Sequence, residues 1–145
     1  MQKKQPIILT SFSYNAEIKF NESEYKGIIT RNDNSNFNIK ITSPKSMNGM
    51  EVTCCGNDIK INFGELSYSL TTDEINNYSL IMTLVSVFNS LSRVNEITAE
   101  SYKNGFKYSG KCSDGNFTLY QNYDNTYEKL IVNKNLSINF SNTKV

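Results

Sequence analysis

The sequence predicts a mainly β (α+β) domain, with about eleven antiparallel strands in one strongly curved sheet, a half-barrel, wrapping a single apolar helix. Three observations point there. Apolar and polar residues alternate with period two along most of the chain, the mark of strands with one buried face. Most connections between these runs are two to five residues, many of them Asn, Asp and Gly, which forces antiparallel neighbours. One segment alone breaks the alternation and is apolar almost all round.

The elements follow in chain order. Phe12, Tyr14, Ala16, Ile18 and Phe20 face one way and Ser13, Asn15, Glu17 and Lys19 the other. Asn21 to Glu24 turn the chain into a strand over Tyr25 to Arg31, and Asn32 to Asn36 turn it again, because Asn and Asp tolerate left-handed conformations. Phe37, Ile39 and Ile41 alternate with Asn38, Lys40 and Thr42 until Pro44, which cannot donate to a ladder. Met50–Cys55 and Ile59–Phe63 read as strands around Gly56-Asn57-Asp58, and Leu66, Tyr68 and Leu70 continue the meander.

Thr71-Thr72-Asp73-Glu74 has the form of a capping box and opens the exception, a helix over Tyr78 to Val94. Leu80, Ile81, Leu84, Val85, Val87, Phe88 and Leu91 cover most of its circumference, leaving a narrow seam of Ser79, Thr83, Ser86 and Ser90. That seam rests on backbone, lines a cavity, or faces solvent. Strands then resume over Ile97–Tyr102, Phe106–Cys112, Asn116–Gln121, Tyr127–Val132 and Leu136–Ser141.

At 145 residues the chain is one domain, with residues 11–145 in the fold and Met1 to Thr10 a linker remnant. A chain this long buries roughly 68–70% of its unfolded surface, so it needs no metal or disulfide staple. Cys54, Cys55 and Cys112 are odd in number and lack CxxC spacing, so all three are expected to be free thiols; a bridge from Cys54 or Cys55 to Cys112 is the alternative. No apolar stretch reaches 18 residues, and the polar start has no signal-peptide core.

Chemistry is scarce. A net charge of +1 lacks the basic footprint of a nucleic-acid binder. With no histidine the commonest general base and metal ligand are both missing. Glu17, Glu51 and Glu100 fall on polar strand positions, and Asp33, Asp58, Asp114 and Asp124 sit in turns, so no buried acid pair is indicated. No phosphate loop, nucleophile elbow, zinc pattern or calcium loop is present, and neither catalysis nor a cofactor is expected. What remains is apolar surface. One helix seldom fills a many-stranded half-barrel, so an apolar hollow is expected between sheet and helix. Its candidate lining is Phe12, Tyr14, Phe37, Ile39, Ile61, Phe63, Tyr68, Leu84, Val85 and Phe88.

Thr42-Ser43-Pro44-Lys45-Ser46-Met47-Asn48-Gly49-Met50 resembles the "sPxxlxGl" segment of the lipoprotein-carrier superfamily, the LolA/LolB/LppX-like proteins. Gly64-Glu65-Leu66-Ser67-Tyr68-Ser69-Leu70 resembles its "xGLxxxL" run before the helix. Phe117-Thr118-Leu119 through Asp124 to Ile131, with Ile138-Asn139-Phe140-Ser141-Asn142, resembles its closing strands. The resemblance covers about residues 11–142 and is nearest to surface lipoproteins of low-GC Gram-positive bacteria. It implies an eleven-stranded half-barrel cupping a helix, and an apolar cavity that takes acyl chains in the carriers. It also implies an extracellular, cell-surface location through a lipid anchor upstream of Met1 and absent from this chain, and a lipid or lipidated partner. The carriers' helix before the first strand has no counterpart, since Met1 to Thr10 is too short to supply it. The two arginines, Arg31 and Arg93, do not match the carriers' functional arginine either. Binding of something apolar is therefore implied, and lipoprotein trafficking is not. The alternative is a packed scaffold domain that binds a protein or wall polymer through its polar face.

Overall fold

A computed structural model describes residues 11–32, 36–71, 80–91, 98–103, 105–112 and 115–142. The strands are β1 (Phe12–Phe20), β2 (Ser23–Asn32), β3 (Asn36–Ser43), β4 (Glu51–Cys55), β5 (Asp58–Phe63) and β6 (Leu66–Thr71) before the helix. After it come β7 (Thr98–Tyr102), β8 (Gly105–Cys112), β9 (Gly115–Asn122), β10 (Tyr127–Val132) and β11 (Leu136–Asn142). The helix α1 spans Leu80–Leu91, inside the expected Tyr78–Val94; of the expected capping box, Thr71 instead ends β6, paired with Asp58, and Thr72-Asp73-Glu74 lie outside the described residues. Met1 to Thr10 also lie outside them. No described helix is long and apolar enough to cross a membrane.

All eleven strands form one antiparallel sheet in the order β6-β5-β4-β3-β2-β1-β11-β10-β9-β8-β7, an open, curved half-barrel. Every neighbour is a chain neighbour except β1 with β11, which joins the two meanders. Cross-strand partners share a face, so the register can be followed across the sheet. One row runs Tyr14, Ile29, Ile39, Val52, Ile61, Tyr68, and another Phe12, Arg31, Phe37, Cys54, Ile59, Leu70. Both lie on the concave side, where α1 packs. The convex side carries Ser13, Asn15, Glu17 and Lys19 with their partners, as the alternation predicts.

Two local features shape the β2–β3–β4 region. The register slips between Lys26 and Gly27, where a Cβ on Gly27 would run into the Lys40 carbonyl. Glycine alone lets the two backbones approach there. Beyond Ser43 a cis Ser43–Pro44 bond leads into a 3₁₀ turn over Lys45–Met47, and Gly49, at φ 95°, donates its N–H to the Ile41 carbonyl at 2.9 Å. That hydrogen bond folds the connection back onto β3.

All three cysteines are free: Cys54 is buried on the concave face, Cys55 is exposed on the other, and Cys112 is half-buried against the core.

Candidate functional site

The middle of the trough is solid. Phe88, near the C-terminal end of α1, lies 5.2 Å from Phe12, 5.6 Å from Phe37 and 5.7 Å from Tyr127 between ring centres. Tyr14 extends the cluster, and its hydroxyl oxygen accepts the Tyr127 N–H at 3.1 Å. Burial pushes the Tyr14 phenol above its ordinary range, the Tyr127 hydrogen bond opposes this, and Asp124 adds a small further rise. Arg31 sits among these rings, 99% shielded, with its guanidinium carbon 5.1 Å from the centre of Phe88 and 5.3 Å from that of Phe37. Burial lowers its pKa, partly offset by Tyr127, and the ring faces provide an electron-rich lining for the cation.

The hydroxyl seam of α1 serves this packing. Ser90 Oγ donates to the Lys111 carbonyl of β8 at 2.7 Å, and Thr83 is fully buried. At Ser90 the seam ties the helix to a strand; Ser79 lies outside the described residues.

Space opens at the other end of the helix. A hollow of about 260 Å³ lies between the first turn of α1 and the strands β3 to β5. Leu80 and Ile81 form its helix side, Ile39, Ile41, Val52 and Ile61 its floor, and Phe20 and Tyr25 one wall. Met47 and Met50, carried in by the folded-back connection, form the other. The Tyr25 phenol is the one polar side chain among these ten residues. A second depression, around Glu17, Lys19, Glu24 and Lys26, is lined by charged, solvated groups and has no comparable apolar floor.

The structure therefore distributes the expected lining residues unevenly. Ile39 and Ile61 meet in the hollow. Phe12, Tyr14, Phe37, Leu84 and Phe88 are buried in the packed centre, and Val85 packs against it half-buried. Phe63 and Tyr68 share the concave face by register but lie on the outer strands, with Tyr68 59% exposed. The reason is reach: a twelve-residue helix is about 18 Å long, whereas eleven strands span about 48 Å before curvature. Sequence reasoning missed Phe20, Tyr25, Ile41, Met47, Met50, Val52, Leu80 and Ile81 as lining residues. The available signal was a pair of methionines flanking a Pro-containing connection, since unbranched side chains suit irregular apolar walls.

The open, curved half-barrel is a fold found in solved structures. An uncharacterized conserved protein from Thermus thermophilus shares it at 10% identity and a TM-score of 0.54, over 92% of this chain and 80% of that one. So does a chain in the structure of the CwlD amidase from Clostridioides difficile in complex with the GerS lipoprotein. It is 18% identical, with a TM-score of 0.57, over 100% of this chain and 99% of that one. A LolA superfamily protein from Nitrosomonas europaea aligns at 13% identity and a TM-score of 0.46, over 97% and 89% of the two chains. No family model and no curated protein matches the sequence. At these identities the likeness is one of fold.

Among the described residues no group of three or more His, Cys, Asp or Glu side chains is placed to hold a metal ion. Tyr108 has its pKa pushed up to about 12 by burial, and it donates to Gln121 Oε1 at 2.7 Å. Burial, then the neighbouring Cys55, raises the Cys54 thiol, which is the wrong direction for a nucleophile. The arrangement offers apolar contact and little else.

Proposed function

We propose that this domain is a non-enzymatic cell-envelope binding module that takes the apolar end of a lipid, or of a lipidated partner, into the hollow beside the first turn of α1. The observation that carries this reading is the hollow, with its ten lining residues and one polar side chain. The carrier resemblance in the sequence and the half-barrel fold support it. A volume of about 260 Å³ corresponds to about nine water-sized groups at about 30 Å³ each, the bulk of one medium-length alkyl chain. At about 0.8 kcal/mol per buried methylene, such a chain contributes up to about 7 kcal/mol before association costs. Micromolar or weaker affinity follows.

The test is a fluorescent fatty-acid titration of the folded domain, repeated with Ile61→Trp and Val52→Trp, which place a ring in the hollow. Wild type binds between about ten micromolar and about a millimolar, and both variants lose at least tenfold while keeping cooperative unfolding. No binding by wild type, or binding that both folded variants retain, refutes the proposal.

One observation favours a second reading. The centre of the trough is filled by Phe12, Phe37, Phe88 and Tyr127, as a packed scaffold requires. A chain solved in an amidase–lipoprotein complex shares the fold along the whole length of this one. If the probe fails to bind, a scaffold domain that engages a protein or wall polymer takes the place of the lipid module.

A further inference from the structure

An open sheet has two edges, each with a row of backbone donors and acceptors that no strand of the sheet satisfies. Here the edges are β6 and β7, and they differ. β7 has five residues, carries Glu100, which pairs with Lys107 at 3.9 Å, and is followed by Lys103. β6 reads Leu66-Ser67-Tyr68-Ser69-Leu70-Thr71, with no charge and no proline. Every residue in it is exposed except the half-buried Leu70. Leu66, at 61%, and Tyr68, at 59%, are the two most exposed large hydrophobic side chains among the described residues. Charges and prolines are the usual guards against edge pairing, and β6 has neither.

The segment from Leu66 to Leu70 is a palindrome. Antiparallel pairing about a two-fold axis at Tyr68 sets Tyr68 against its own copy, Leu66 against Leu70, and Ser67 against Ser69. The partners Phe63–Leu66, Ile61–Tyr68 and Ile59–Leu70 put the three apolar residues on the concave face and leave both serines on the convex one. The two-fold register preserves that division, so the apolar lining continues from one sheet into the next. A slip of one residue sets serine against leucine or tyrosine and breaks it. A closed two-fold interface needs one surface that complements itself.

We propose that β6 is a self-complementary edge through which two copies of this chain join their sheets. A second copy in this register matches leucine with leucine, tyrosine with tyrosine and serine with serine, which favours it as the occupant, and an uncharged edge offers a charged partner segment no complement. The proposal is independent of whether the hollow takes a lipid.

The test is sedimentation of the whole chain from low to hundreds of micromolar, with three sets of variants. Ser67→Lys with Ser69→Lys places lysine opposite lysine at both convex pairs. Ser67→Lys with Ser69→Glu places opposite charges there in the same register. Tyr68→Cys and Leu66→Cys, each with Cys55→Ser to remove the exposed thiol, measure the register directly. Across the axis the Tyr68 Cα atoms are about 4.5–5.5 Å apart, within disulfide reach, whereas the Leu66 atoms lie some four residues apart along the strands.

The wild-type chain dimerises, the double-lysine variant associates at least tenfold more weakly, and the Lys/Glu variant recovers. Tyr68→Cys is trapped as a disulfide dimer, and Leu66→Cys is not. Circular dichroism confirms the fold; should the lysine variant fail it, the cysteine pair decides. A wild-type chain monomeric throughout, a folded double-lysine variant that dimerises unchanged, or equal trapping of both cysteines overturns the proposal.

Discussion

Replacing Phe88 by alanine probes whether the helix is part of the sheet's core. Phe88 is fully buried, against the rings of Phe12, Phe37 and Tyr127 and the Arg31 guanidinium. Phe→Ala substitutions in packed cores cost about 3–5 kcal/mol, from lost transfer energy plus the cavity left behind. Two features place Phe88 in the upper part of that range. Three ring pairs are lost together, each worth roughly 0.5–1.5 kcal/mol beyond burial. Arg31 also loses one of its two ring faces. With a urea slope of about 2 kcal/mol per molar, a loss of about 4 kcal/mol lowers the unfolding midpoint by about 2 M at unchanged slope. The assay is urea unfolding followed by circular dichroism. Phe88→Leu, which keeps most of the volume, should cost less than half as much. If Phe88→Ala also stays folded, benzene, which restores a ring face to Arg31 and contact to Phe12, Phe37 and Tyr127, should enter the cavity and restore part of the midpoint. A loss below about 1 kcal/mol would refute the reasoning, because α1 would then lie on the sheet without filling it.

Ser90→Ala leaves the Lys111 carbonyl without its 2.7 Å donor and should cost about 1–2 kcal/mol in the same assay, with no change in lipid-probe affinity. Tyr108 should make stability fall as pH rises above the unfolded tyrosine pKa near 10. Tyr108, raised to about 12 by burial, keeps its proton when folded and loses it when unfolded, and the folded state therefore binds more protons in that window. Urea midpoints at pH 8 to 11.5 should show a decline that Tyr108→Phe reduces; an identical decline in the variant removes Tyr108 as its source. Thiol titration in denaturant without reductant should find three groups per chain. In the native state Cys55 reacts fastest and the buried Cys54, its pKa raised, slowest, whereas a single group in denaturant would mean a bridge.

The strand pattern was legible because alternation is a local property. Phe12–Phe20 and Tyr127–Val132 have the bounds the sequence predicts, and the other strands differ from theirs by one or two residues at one or both ends, Ile97 of the expected Ile97–Tyr102 lying outside the described residues. The turn residues and the short connections fixed the antiparallel meander, and the break in period marked α1. The face of each strand residue followed as well: Tyr68 and Tyr14 stand on the same concave row. That Tyr14 is buried and Tyr68 exposed did not follow, because cover depends on where a short helix lands on a wide sheet. Joining β1 to β11 brings Tyr14 to the Tyr127 N–H across 113 residues and closes the centre with aromatic rings. The hollow moved for the same reason. Ser90 bonds the C-terminal end of α1 to β8, and the free space lies at the other end, where Leu80 and Ile81 face β3–β5. Met47 and Met50 enter its wall through the hydrogen bond from Gly49 to Ile41, a contact between a loop and a strand that periodicity does not encode. Sequence determined which side of each strand is apolar; tertiary structure decided which apolar residues are covered, because cover is set by the placement of one helix and one loop against the whole sheet.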